Sequence, residues 1–236
     1  MKVISIANST GGTGKSTTAL AIAVAAAEYG RNVLLIDLDE RANLTFQLAI
    51  ENPRFTMLEV AAGSVSTDLA IIRTAERFDF LAGAPRITAL ESMQISAGSL
   101  KEKFNNYDLV VIDTSSALNQ RLLLASQLSD AVLYVTTDSL SSTRGVVLAA
   151  DFYKKSLQHG VLPIMTADQS QVLSILKSDF KIIDPAIPTD QSVLAAQIEN
   201  KSVLSYDKSG LASDAYRDVT YFLLEELFSS KADAAL

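Results

Sequence analysis

The nine residues Ser9-Thr10-Gly11-Gly12-Thr13-Gly14-Lys15-Ser16-Thr17 constrain this chain more than any other stretch. They stand between a short apolar run at 3–8 and an alanine-rich stretch at 17–29. Glycines let the backbone turn so that successive N–H groups point inward and can surround phosphate oxygens. A helix opening directly after the turn adds free N–H groups and the positive end of its dipole. Lys15 supplies a mobile cation for the β- and γ-phosphates, and the Ser16 hydroxyl is placed for Mg²⁺. The plain alternative is a glycine-rich turn that only joins a strand to a helix. Gly-x-Gly-Lys-Ser-Thr at such a boundary favours the phosphate cradle. A strict version of the pattern has glycine six residues before the lysine; Ser9 stands there, and the doubled glycine at 11–12 compensates. The loop thus nominates Gly11, Gly12, Thr13, Gly14, Lys15, Ser16 and Thr17 as phosphate-binding residues, with Ser16 also a metal ligand.

Downstream, short apolar runs alternate with longer helical patterns. Runs at 33–36, 78–82, 109–112, 131–137 and 161–165 read as strands; helical patterns fall at 17–29, 88–104, 119–129 and 142–158. Gly30 is placed to cap the first helix. Strands that are apolar throughout are buried on both faces, which is the mark of a parallel sheet covered by helices. The alternation predicts a doubly wound α/β domain. Ligands in such folds sit beyond the carboxyl ends of the strands, and here Asn8, Asp37, Asp113 and Thr136-Thr137 all gather at that edge. Residues 214–230 read as one amphipathic helix with Ala215, Val219, Phe222, Leu223 and Leu227 sharing a face; residues 231–236 are expected to fray. There is no repeat or long linker, so residues 1–236 are expected to form a single domain.

Composition excludes several classes. Apolar residues make up 48% of the chain, and 20 basic residues face 27 acidic ones, for a formal charge of −7. That balance does not announce a nucleic-acid binder, which ordinarily needs a basic surface. With no cysteine, disulfides, thiolate zinc sites and iron–sulfur clusters are impossible. The single histidine, His159, reads as loop surface beside Gly160 and receives no role. No signal peptide or membrane-spanning run is apparent, and a cytoplasmic protein is expected.

The loop resembles the deviant Walker A motif of the ParA/MinD ATPases, whose pattern runs Lys-Gly-Gly-x-Gly-Lys-Ser/Thr. Three further segments agree in order and spacing. The stretch from Val33 through Asp37-Leu38-Asp39 to Asn43-Leu44-Thr45 resembles the family's second acidic motif, and Tyr107 to Thr114 its Walker B strand. Ile187-Pro188-Thr189-Asp190, Tyr206-Asp207 and Ala215-Tyr216-Arg217 resemble the C-terminal part of partition ParA proteins. The resemblance implies binding of ATP with Mg²⁺ and its hydrolysis. It implies that Asp37 orients or activates the attacking water alongside Lys15, that Asp113 holds the metal's shell through water, and that Thr166 and Pro188 touch the base. Asp39 divides evenly between site and surface.

The chain departs from the family at its hallmark lysine, which crosses the dimer to the partner's phosphates: here that position is Thr10. Lys154 and Lys155 are candidates to replace it, although two lysines near a helix C-terminus also simply suit the dipole. Loss of that lysine resembles the carboxysome-positioning ATPases of the same family. Asp39-Glu40-Arg41-Ala42-Asn43 replaces the usual Pro-Gln-Gly, and Thr114-Ser115-Ser116 replaces Thr-Pro-Pro, which predicts a more mobile switch. The leading expectation is a ParA-like positioning or segregation ATPase. It would form a homodimer with ATP, bind nonspecific DNA on the nucleoid, and be released when an adaptor protein stimulates hydrolysis. Lys177, Lys181, Lys201, Lys208 and Arg217 are the candidate phosphate-backbone contacts. A MinD-like membrane switch would need a basic amphipathic tail, but the tail carries Glu225 and Glu226, so membrane contact is not expected. A small-molecule ligase on the same fold is the remaining reading.

Overall fold

The computed structural model describes residues 1–166 and 170–229. The first half runs β1 (Lys2–Ala7), α1 (Lys15–Glu28), β2 (Val33–Asp37), α2 (Asn43–Gln47), α3 (Met57–Ala61), α4 (Thr67–Ala70), β3 (Ile72–Arg73) and β4 (Asp79–Leu81). A 3₁₀ helix (Pro85–Ser92) and α5 (Ala97–Glu102) lead to β5 (Leu109–Asp113), α6 (Gln120–Leu128), β6 (Ala131–Thr136), α7 (Leu140–Ala150) and β7 (Leu157–Pro163). Four helices finish the described chain: α8 (Gln171–Ser174), α9 (Gln191–Ile198), α10 (Val203–Tyr206) and α11 (Leu211–Phe228). The strands form one sheet in the order β3-β4-β2-β5-β1-β6-β7. Every neighbouring pair is parallel except the short edge pair β3–β4.

The apolar strands are buried on both sides, as their composition predicts. Val33 and Leu35 of β2 face a core shared with α1 and α11. Leu34 and Ile36, one residue out of phase, face a second core built with α3, α5 and α6. This is the period-two alternation of a strand with helices on both faces. A run of alanines from Ala19 to Ala27, broken only by Leu20, Ile22 and Val24, lets α1 lie close to the sheet and to α11. The helix ends as Gly30 predicted. Gly30 takes φ 80°, its N–H donates to Ala27 O, and Arg31 N–H donates to Ala26 O, which is the Schellman arrangement.

Four expectations are corrected. The helix expected over 142–158 ends at Ala150, and the chain turns so that Leu157 can start pairing with β6; Leu157 N–H donates to Asp130 O. Lys154 and Lys155 therefore lie in that turn, at the amino ends of the strands and opposite the glycine loop, with Lys154 paired to Asp151 at 3.1 Å. His159 is not loop surface. It is the extra residue of a bulge in β7, between Gln158 and Gly160, fully buried, with Nδ1 against the Glu226 carboxylate of α11. Burial pushes its pKa down, and Glu226 opposes that. The pattern at 88–104 is split, because Met93 adopts an extended conformation and Ser96 starts a new helix by accepting from Ser99 N–H. In α11, Ala215, Val219, Leu223 and Leu227 do face the core, but Phe222 is exposed, edge-on to Tyr221; Tyr216 and Leu224 fill the apolar face instead. Residues 230–236, and with them the expected frayed end, lie outside the described residues.

Candidate functional site

The glycine loop forms where β1 hands over to α1. Gly14 takes φ 87° as the N-cap of α1, and a Cβ there would come within 3.3 Å of Ile164 Cγ2. Only glycine meets both demands without strain. No side chain caps α1 and no acid occupies its first turn, so its leading N–H groups remain available to an anion. Lys15 is buried, and its Nζ donates to Thr10 O at 2.8 Å. Burial lowers the ammonium pKa, opposed by the fields of Asp113 and Asp39.

Thr10 is not free to act like a long cation. Its N–H donates to Asn8 Oδ1 at 2.7 Å and its Oγ1 to Ser141 O at 2.8 Å. Asn8 Nδ2 in turn donates to Val135 O and Ser142 O, and Ser9 N–H to Gly145 O. The loop is thereby fastened to the first two turns of α7. Gly145 makes the approach possible, since a Cβ there would stand 2.0 Å from Asn8 Oδ1. The sequence pattern gave no sign of this role for a glycine inside a helix.

Two aspartates close the carboxyl edge. Asp37 at the end of β2 and Asp113 at the end of β5 are register partners, and both are fully buried. Asp37 accepts from Asp39 N–H at 3.0 Å, from Thr45 N–H at 3.1 Å and from the Thr45 hydroxyl at 2.7 Å. Thr45 Oγ1 also accepts from Gly83 N–H at 2.8 Å. Burial raises the Asp37 pKa to about 6, and these bonds restrain the rise. Asp113 is also pushed well up, first by burial and then by Asp37, with Ser16 and Lys15 acting the other way. Neither of its carboxylate oxygens has a hydrogen-bond partner of ordinary geometry among the described residues.

A cleft of about 710 Å³ lies over the loop, lined by Gly11 to Thr17, Asp39, Arg41, Phe46, Ser116, Leu194, Gln197 and Ile198 among others. A smaller cavity of about 270 Å³ adjoins it at Gly12, Gly14 and Thr17, and is walled by Met165, Ile187, Pro188 and Val193. Pro188 therefore lines a cavity shared with the loop. Thr166 is not among the lining residues, whereas its neighbour Met165 is. The polar cradle beside a smaller, more enclosed and more apolar chamber suits a phosphate chain joined to a ring. The Ser16 hydroxyl and the Asp113 oxygens are hard donors suited to Mg²⁺. Among the described residues no cluster of three or more acidic, histidine or cysteine ligands exists, so such an ion would rely on phosphate and water oxygens for most of its shell, as Mg²⁺ commonly does.

Arg41, Thr45, Gly83, Gly145 and the α9 residues at the rim escaped the motif reading. Of these only Arg41 and Thr45 sat within a stretch that drew attention. The C-terminal segments that resembled partition proteins have local structural duties. Asp190 caps α9 and accepts from Ala212 N–H of α11, and Tyr216 meets Thr18 of α1 at 3.2 Å.

A family model described as an AAA domain matches residues 1–161. The chain belongs to this family of P-loop ATPases, and its relatives place it with the ParA/MinD group. The sporulation initiation inhibitor protein Soj of Bacillus subtilis is 26% identical, with 92% of this chain and 96% of Soj covered. A ParA family protein of Chlamydia pneumoniae is 27% identical over 95% of this chain and 98% of its own length. Among solved structures, a Cyanothece McdA variant in complex with ATP superimposes with a TM-score of 0.81 at 21% identity, covering 94% of this chain and 96% of that one. MinD of Pyrococcus horikoshii with Mg-ADP gives 0.80 at 23%, covering 98% and 99%. Cobyrinic acid a,c-diamide synthase of Mycobacterium smegmatis with ADP and magnesium gives 0.79 at 23%, covering 98% and 97%. These three share the seven-stranded P-loop fold. No helix among the described residues is long and apolar enough to cross a membrane.

Proposed function

We propose that this chain is an ATP-driven spatial switch: it binds ATP with Mg²⁺ in the cleft over residues 11–17, hydrolyses it slowly, and uses the cycle to position a cargo. The observation that carries the reading is the pairing of a glycine-rich anion cradle with two buried aspartates on adjacent strand ends. The amides of Gly11 to Ser16 and the Lys15 ammonium hold the phosphate chain. Ser16 and, through water, Asp113 would hold the metal, which when bound would supply charge neutralisation at the phosphates. Asp37 accepts a proton from, or orients, the attacking water; Thr45 fixes its carboxylate for that task. Pro188 and its neighbours receive the base, with Thr166 at the margin.

In the ATP state two copies close across the carboxyl edge and bind duplex DNA on the nucleoid without sequence preference, until an adaptor protein carried by the cargo stimulates hydrolysis. Support for the DNA step comes from the relatives' family rather than from charge. Three of the five candidate cations are engaged with acids: Lys181 with Glu226, Lys201 with Glu199, and Arg217 with Glu28 and Asp214. Lys177 and Lys208 are exposed without an acid partner among the described residues. The membrane reading is weakened by Glu225 and Glu226 on α11. The ligase reading draws on the synthase of like fold.

Phosphate release with Mg²⁺ distinguishes the three. Turnover on the order of one per minute or slower, raised by duplex DNA together with cargo-linked protein, is expected. Stimulation by anionic vesicles alone, or turnover that requires a small carboxylic acid, would overturn the positioning reading.

A further inference from the structure

Arg41 is a cation with no ion pair or side-chain hydrogen bond among the described residues, and it overhangs the phosphate cradle. Its Nη1 lies 3.7 Å from where a Gly11 Cβ would be, and it lines the same cleft as residues 11–17. Its backbone leaves little freedom. Asp39 Oδ1 accepts from Arg41 N–H at 3.0 Å, Ala42 N–H donates to Asp39 O, and Ala42 is left-handed at φ 51°. The preceding side chain, Glu40, is drawn away to the buried Arg121 at 2.6 Å, and Arg121 also holds Glu91 at 3.0 Å. The turn is thus pinned on one side by an ion-pair network, with Arg41 left over the loop on the other.

The end of the cradle that Arg41 covers matters. Lys15 Nζ rests on Thr10 O, so the Thr10–Gly11 end of the loop is where the reach of Lys15 is directed, toward the outer phosphates. The Arg41 charge is near enough to act against the Lys15 ammonium. Two cations this close favour a multiply charged anion between them. A guanidinium supplies a planar fork suited to phosphate oxygens.

We propose that Arg41 contacts the terminal phosphate and so lets the site tell ATP from ADP within a single chain. This rests on the reading of the cleft as an ATP site. Titration calorimetry with Mg²⁺ and either ADP or a non-hydrolysable ATP analogue tests it on wild type, Arg41→Gln and Arg41→Lys. In Arg41→Gln, affinity for the triphosphate should fall by about tenfold or more, the scale of a charge-assisted hydrogen bond, while ADP affinity stays within about threefold. Arg41→Lys, which keeps the charge and loses the fork, should fall between. Because the side chain is exposed and unbonded, both variants should melt with wild type. Equal losses for the two nucleotides, or no loss in Arg41→Gln, would overturn the assignment while leaving the ATP site standing. Wild-type protein that binds neither nucleotide would overturn both.

Discussion

Asp37 and Asp113 are register partners on adjacent parallel strands, and both carboxyls are fully buried at the edge where the glycine loop begins. Burial raises the pKa of both carboxyls, and the Asp37 charge raises that of Asp113 further. Asp37 is given three hydrogen bonds to hold it, whereas Asp113 has none of ordinary geometry among the described residues. On the proposed reading, the first arrangement would hold a group for proton work and the second would leave oxygens for a cation's hydration shell.

The pair predicts a pH dependence for the nucleotide-free protein. Asp37 titrates near about 6 when folded, against a value of 3.8 for a free side chain, so the folded chain holds the proton more tightly. Its contribution to stability is fully present below the unfolded value and is lost as pH rises through about 6; Asp113 acts in the same sense. Glu40, Glu59 and Asp190, whose pKa values are lowered, act oppositely but are common to both proteins compared. Melting temperatures of wild type and Asp37→Asn at about pH 4.5 and about pH 7.5 should show the variant gaining on wild type at the higher pH. A gap that does not move with pH would contradict the buried pair.

Thr45 links Asp37 to Gly83 N–H through one hydroxyl. Thr45→Val keeps the shape and leaves the Gly83 donor buried without its partner, a loss of about 1–3 kcal/mol. Denaturant unfolding should report that loss, and hydrolysis should fall further than ATP affinity. Unchanged turnover in a folded variant would remove Thr45 from the positioning of Asp37.

Gly145 is the contact through which α7 carries the loop. A methyl group there would meet Asn8 Oδ1 at 2.0 Å and Thr10 Oγ1 at 2.5 Å. Although alanine is the better helix former, Gly145→Ala should destabilise by about 1–3 kcal/mol through overpacking and weaken nucleotide binding. A stabilised variant with native affinity would show that the loop is not fastened as described.

Lys15→Ala removes the cation seated on Thr10 O. Nucleotide affinity should drop by about a hundredfold, the scale of losing a charge-assisted contact in a sheltered site. Fluorescent-nucleotide titration reads this directly, and native affinity would mean that the phosphates lie elsewhere.

The parallel core and the cradle were legible because each rests on a local rule. Strands that are apolar throughout announce burial on both faces, and glycine spacing before a lysine announces a turn of inward amides. What escaped depends on contacts far apart in sequence. His159 sits in a bulge that only the β6–β7 pairing creates, and its partner Glu226 is on the last described helix. The true end of α7 was hidden because residues 151–158 keep a helical composition while the sheet requires an extended segment from Leu157. Gly145 looks like a weak point in a helix until Asn8 and Thr10 are placed against it. Arg41 stood in the sequence as a departure from a motif; its place over Gly11 emerges only when the β2 turn is folded across the loop.

The account rests most heavily on an ATP-gated switch, and a gel shift of nonspecific duplex DNA tests that most directly. Wild type and Asp37→Ala would be compared with ATP, ADP or no nucleotide, at about 50 mM and about 200 mM salt. A shift that requires ATP, persists or strengthens in Asp37→Ala because hydrolysis is blocked, and weakens at the higher salt is the predicted result. Protein that binds ATP yet shifts no DNA in any state, or shifts it equally with ADP, would contradict it.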